Sequence, residues 1–260
     1  MFSPVIRAYR IRKRHLAALA VLAVLALFFS RLLQERAGRQ AVAALAPALA
    51  GRVIVVDPGH GGYDPGVVGK SGALEKDIAL SVGRRLAANL GQAGAMVLMT
   101  READTDLSDP GTVGLTAKKR EDLSRRVALA NDNKADLYLS IHVNSFTSPR
   151  RRGAQTFVQP GSAESKKAAR FIQEELARVL EGTGRRINEV DFYVTRNATM
   201  PAVIVEIGFI TNEEEEKLLQ DPAYQSKAAW AVFAGTVKYF AGKESSPQPP
   251  PPFSGKTFAP

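Results

Sequence analysis

Residues 52–69 read RVIVVDPGHGGYDPGVVG, and the fold follows from the way this stretch changes character. Val53, Ile54, Val55 and Val56 form an unbroken β-branched run, the pattern of a strand covered on both faces. Asp57-Pro58-Gly59-His60-Gly61-Gly62 then ends it, because proline withdraws a ladder donor and glycine permits a sharp turn. In open α/β sheets, ligand-bearing loops lie at the carboxyl ends of strands, and His60 falls there. His142 closes a second apolar run, Leu137 to Ile141, in the same way. The chain holds three histidines, and the third, His15, belongs to the N-terminal segment. Two imidazoles presented alike predict one shared site.

Working outward, helical and strand patterns alternate. Apolar spacing predicts a helix over 75–90, ended by Gly91 and Gly94, a strand over 96–99 and a polar loop over 101–114. A helix follows from about Thr116, with Leu123, Val127 and Ala130 on one face. Strands are expected at 137–142 and 154–158, and an amphipathic helix at 168–180 turns Phe171, Ile172, Leu176 and Leu180 inward. Residues 192–195 read as an edge strand, 202–207 as a buried strand and 223–240 as a closing helix. This alternation implies an α/β fold, a three-layer α/β/α sandwich on a mostly parallel or mixed central sheet.

Composition narrows the function. An apolar share of 45% supports a real core, and the absence of cysteine excludes disulfides, thiolate metal sites and a thiol nucleophile. The net charge of +9 is concentrated: eight of the 35 Lys/Arg and one of the 26 Asp/Glu lie in residues 1–50. The remaining 27 basic and 25 acidic residues nearly balance, which argues against a nucleic-acid partner. Arg7, Arg10, Arg12, Lys13 and Arg14 precede the uncharged run Leu16 to Phe29, a basic region before an apolar one. Residues 1–33 therefore read as a signal peptide or an N-terminal membrane anchor, and the domain as exported. The run is shorter than the ~20 residues of a full span, though Ser30 to Leu33 extend it. Residues 34–50 form an alanine-rich linker, helical or loose, 51–242 the catalytic domain, and 243–260 a proline-rich tail expected to be disordered.

Three protein ligands with one open position is the usual catalytic zinc arrangement, and two His with one Glu is a known set. Glu75, Glu206 and the aspartates near His60 are all candidates for the third ligand beside His60 and His142. Glu75 also fits as a plain dipole partner at a helix start. Glu206 closes the core strand pattern Ala202-Val203-Ile204-Val205, where a carboxylate either faces solvent or serves a polar site as general base. Asp57 and Asp64 are read as turn residues in preference to outer partners of the histidine. Asn144 and Ser145 are candidate donors to substrate. Arg150-Arg151-Arg152 reads first as a solvated turn, with a rim role toward an anionic polymer left open. Neither a Walker loop nor a Gly-x-Ser-x-Gly motif is present.

These pieces together resemble the zinc-dependent N-acetylmuramoyl-L-alanine amidases. The matching blocks are Val55 through Gly62, Leu74-Glu75-Lys76-Asp77, Met99-Thr100-Arg101, Ser140 through Ser145, and Pro201 with Glu206 through Asn212, in order over about residues 52–241. A closer likeness is to the germination-specific, spore-associated branch. It rests on Asp106 through Gly111 with Gly114-Leu115, on Gly153 through Phe157, and on the apolar segment joined directly to the domain. The resemblance implies Zn2+ held by His60, Glu75 and His142, with Glu206 as the catalytic acid/base. It also implies peptidoglycan as substrate and a role in cortex maturation through muramic δ-lactam formation. Only residues 146–152 separate Ser145 from Gly153, too few for the inserted helix that occludes division-type members. The alternatives are a zinc carboxypeptidase acting within the stem peptide and a non-catalytic wall-binding protein.

Overall fold

The computed structural model describes residues 13–180 and 184–242. Residues 1–12, expected in the signal or anchor segment, and the tail 243–260, expected to be disordered, lie outside them. The chain divides into two compact units, Met1–Ala44 and Leu45–Pro260. In the first, helix α1 spans Lys13–Leu45. Alanine, leucine and arginine, all strong helix formers, carry it through Ser30 and Arg31 without a break. The segment Arg14–Leu49 is long and apolar enough to cross a membrane.

The second unit is a six-stranded sheet. Its strands are β1 (Val53–Pro58), β2 (Met96–Met99), β3 (Leu137–Asn144), β4 (Gln155–Val158), β5 (Asn188–Glu189) and β6 (Ala202–Phe209), in the order β2-β1-β3-β6-β4-β5. β2, β1, β3 and β6 run parallel, and β4 lies antiparallel to β6. The unbroken apolar runs have their explanation here, since Ile54, Val55, Val56, Leu137, Leu139 and Val205 are fully buried between two helical layers. Helices α2 (Glu75–Gln92), α4 (Ala163–Leu180) and α7 (Pro222–Phe240) pack together on one face. Helix α3 (Leu115–Asp132) and the short α5 (Tyr193–Asn197) cover the other, where Val55, Val127, Ala130, Tyr138, Val194 and Ile204 share a core cluster.

Residues 192–195 are not an edge strand. Tyr193–Asn197 form one helical turn and a half, and the edge is the two-residue β5. Val194 is drawn into the core beneath that turn, so tertiary burial overrides the β propensity of Phe-Tyr-Val-Thr. One helix went unanticipated: α6 (Glu213–Gln220) is capped by the Asn212 side chain, which accepts from the N–H groups of Glu214 and Glu215.

Register decides where the chemistry sits. Asp57 pairs with Ser140 and His142 with Glu206, so with alternate residues facing opposite ways these four side chains share the α3/α5 face. They lie at the carboxyl ends of the parallel strands, where sheet hydrogen bonding gives way to loops.

Candidate metal centre

His60 stands in the left-handed region, φ 60°, an uncommon conformation for a residue with a Cβ. Two buried arginines hold the loop there. Arg126, 1% exposed, donates to the carbonyls of Pro58 (2.9 Å) and His60 (2.7 Å). Arg101 donates to the carbonyls of Pro58 (2.9 Å) and Gly59 (2.8 Å). The turn reading of Asp57 is thereby corrected. It is a buried anion, accepting from Arg126 (2.8 Å), Thr100 (2.7 Å) and Ser140 (2.7 Å). Burial alone would raise its pKa, but the Arg126 charge and the two hydroxyls hold the carboxyl far below the usual range. Asp122 completes the network, accepting from Arg126 Nε at 2.9 Å.

Glu75 opens α2 but does not cap it. Its Oε2 accepts from Val67 N–H (2.9 Å) and its Oε1 from Val143 N–H (3.0 Å), which fixes the carboxylate in the space between the two histidines. Oε1 lies 3.2 Å from His60 Nε2 and 2.9 Å from His142 Nδ1. One ligand atom from each of the three residues lies within 4.8 Å of the others. A tetrahedral zinc with bonds of about 2.05 Å has ligand–ligand edges of about 3.3 Å, close to the two contacts. The imidazole rings stand nearly perpendicular at 80° with centroids 4.9 Å apart. Space is tight enough to demand glycine: a Cβ on Gly59 would lie 2.2 Å from His142 Cε1.

Asp64 is also more than a turn residue. Its Oδ2 meets His60 Nδ1 at 2.8 Å and takes a further contact from Lys119 at 2.5 Å, so it orients the ring from the outer side. Burial disfavours a charged His60, yet Asp64 and Glu75 outweigh it and push the imidazole up to about 9. Although burial opposes its ionisation too, Glu75 is held well below the carboxylate range by the two histidines. The field that retains a proton between these groups favours a divalent cation there, and two imidazole nitrogens with one carboxylate oxygen suit zinc.

Glu206 has the opposite environment. The side chain reaches the cavity edge, but its Oε2 is sealed from solvent with no hydrogen-bond partner among the described residues. Burial first, and then the neighbouring charge of Glu75, push its carboxyl up to about 8, the range of a group that both accepts and returns a proton near neutrality. It shares a cavity of about 310 Å³ with His60, His142, Lys119, Tyr193 and Ile204.

Asn144, expected to face substrate, uses its Oδ1 to accept the Ser145 N–H at 2.8 Å. Arg126, Asp122 and Lys119 had no distinguishing signal. A buried arginine on α3 looks like any charged residue on a half-exposed helix until its partners on other elements are known.

A model of the N-acetylmuramoyl-L-alanine amidase family matches residues 54–238. The chain belongs to that family. The amidase is 44% identical over 201 residues to the germination-specific N-acetylmuramoyl-L-alanine amidase of Bacillus subtilis, covering 77% of this chain and 84% of that one. Among solved structures it resembles the CwlD amidase of Clostridioides difficile, determined in complex with the GerS lipoprotein. There the identity is 36% and the TM-score 0.72, over 74% of this chain and 100% of that one. The catalytic domain of CwlV, an amidase from Paenibacillus polymyxa, superposes with a TM-score of 0.64 at 33% identity, over 72% and 97% of the two chains. The α/β sandwich expected from strand and helix alternation is the fold of these amidases.

Proposed function

We propose that the amidase is zinc-dependent, that His60, Glu75 and His142 hold the ion, and that Glu206 carries the proton. The observation behind this is the convergence of His60 Nε2, Glu75 Oε1 and His142 Nδ1, with an unpartnered carboxyl one strand away in register with His142. Bound there, zinc would supply Lewis acidity toward the lactyl amide carbonyl and would lower the pKa of the attacking water. Glu206 accepts the proton of the attacking water and delivers it to the departing amino group of L-alanine. Its sealed Oε2 keeps the proton affinity high enough for both transfers. Asp64 and Lys119 hold the His60 ring, while Arg126 and Arg101 hold the backbone that carries it.

The site of action we infer is spore cortex, where removal of the stem peptide from muramic acid precedes δ-lactam formation. The 44% identity to the germination-specific relative supports this. We further propose export, with α1 as a signal or retained anchor, because the substrate lies outside the cytoplasm and the helix can cross a membrane.

The test is digestion of peptidoglycan by the full-length chain with and without a chelator, followed by mass spectrometry. Intact stem peptides with free N-terminal L-alanine should appear, vanish on chelation and return with zinc. Cuts inside the stem peptide, or release indifferent to chelator, would defeat the zinc-amidase reading. For the cortex role, spores lacking this chain should contain no muramic δ-lactam; normal lactam content refutes it.

A further inference from the structure

Across β6 from His142 the cavity face continues onto β4. Gln155 lies directly opposite Glu206 in the antiparallel pair, and partners opposite one another share a face. Gln155 in turn accepts from Arg185 Nη1 at 3.4 Å and donates to the Arg186 carbonyl at 2.8 Å. The guanidinium of Arg185 therefore touches the residue paired with Glu206. It is also fixed in place: its Nε donates to the Arg152 carbonyl at 2.8 Å, and its plane lies 4.5 Å from the centroid of the Phe209 ring. Arg151 stands close by, 4.7 Å over the Phe146 ring.

Among the described residues no carboxylate pairs with Arg185 or Arg151. The acid nearest in effect, Glu215, accepts the N–H groups of Gly153 (2.8 Å) and Phe209 (2.8 Å). Partial burial, and then the like charge of Arg151, lower the pKa of Arg185 against the opposing pull of Glu215. A planar guanidinium pinned by an aromatic ring and a backbone carbonyl has already lost its rotamer freedom, so its remaining N–H groups bind an anion at little further entropic cost.

We infer that Arg185, assisted by Arg151, is a subsite that reads a carboxylate of the stem peptide next to the scissile amide. The inference rests on the amidase reading. In peptidoglycan the L-alanine is followed by a γ-linked D-glutamyl residue, whose α-carboxyl group is either free or amidated. One strand spacing of about 4.8 Å separates Gln155 from Glu206, and two extended residues reach about 7 Å, so the second stem residue can meet the guanidinium. The free carboxylate accepts both parallel N–H groups of the fork; a carboxamide cannot.

The experiment compares two soluble muropeptides that differ only in that group, carboxylate or carboxamide, with the full-length chain. The expected result is a kcat/KM about tenfold higher for the carboxylate, expressed mainly in KM. Arg185→Gln should bring the ratio close to one, and Arg185→Lys should keep part of it. Arg151→Gln, at an exposed loop position, should lower the ratio about threefold, and it tests the idea even if Arg185→Gln fails to fold. A wild-type ratio below about twofold, or an unchanged ratio in both glutamine variants, overturns the subsite. Neither muropeptide carries wall polymer, so a flat ratio is also what grip on a phosphate polymer would produce. Release of a stem peptide with a free N-terminal L-alanine from neither substrate overturns the amidase reading and this inference together.

Discussion

Glu206→Gln separates what a buried carboxyl does for catalysis from what it does to stability. The carboxyl rises from 4.5 to about 8 on folding, which at 1.36 kcal/mol per pKa unit sets a ceiling of about 5 kcal/mol. The sign follows from linkage. Between those two values the folded chain holds a proton that the unfolded chain has released, so stability falls as pH rises from 4.5 to 8 and levels off above. Glutamine removes the titration. The packing cost of the substitution is the same at every pH and cancels from the slope. Because the cavity admits water, the swing should be smaller than the ceiling, about 2–4 kcal/mol in favour of the variant between pH 5 and pH 8. Urea unfolding of chelator-treated full-length protein measures it, and Trp230, the single tryptophan, lies in α7 of the catalytic unit and reports that unit alone. The same variant should retain zinc yet lose about 10²–10⁴-fold in turnover. A stability difference constant to within about 0.5 kcal/mol across the range would falsify the claim that this carboxyl is forced to hold its proton.

Arg126→Met should cost about 3–5 kcal/mol by urea unfolding, because Asp57 and Asp122 are left as buried anions without their cation; a loss below about 1 kcal/mol refutes the network. Asp64→Asn removes the charged partner of His60 Nδ1 and should weaken metal affinity about 10–100-fold in a chelator competition, with unchanged affinity as the contrary result. Gly59→Ala places a methyl group 2.2 Å from His142 Cε1. It should empty the site of metal, read by elemental analysis, while the unfolding midpoint moves little; full metal content would show that His142 can shift aside.

How much of this was legible beforehand depends on range. His142 and Glu206 stand out because each ends an apolar run, where a polar group needs a reason, and His60 because it follows a buried strand in a glycine-rich turn; Glu75, which also fits a helix start, is singled out only by the family resemblance. Asp57 and Asp64 were assigned to turns because Asp-Pro-Gly and Asp-Pro-Gly are ordinary turn sequences. Their partners, Arg126 on α3 and Lys119 two turns earlier, lie more than fifty residues away. Residues 192–195 carry a strand composition, yet Tyr193–Asn197 are helical, with Val194 buried in the core cluster that includes Ile204 and Val127.

By itself the amino-acid sequence determined the α/β layering, the strands that end in histidine and glutamate, and the absence of any thiol chemistry. Each of these follows from local periodicity or from residue types. The tertiary structure alone decided that Glu75 turns its carboxylate between two imidazoles, that two arginines brace the His60 loop from beneath, and that Arg185 comes to rest against Gln155, the strand partner of Glu206. Those outcomes depend on strand order and register, which bring together groups with no local signal of one another because their attraction acts across space and not along the chain.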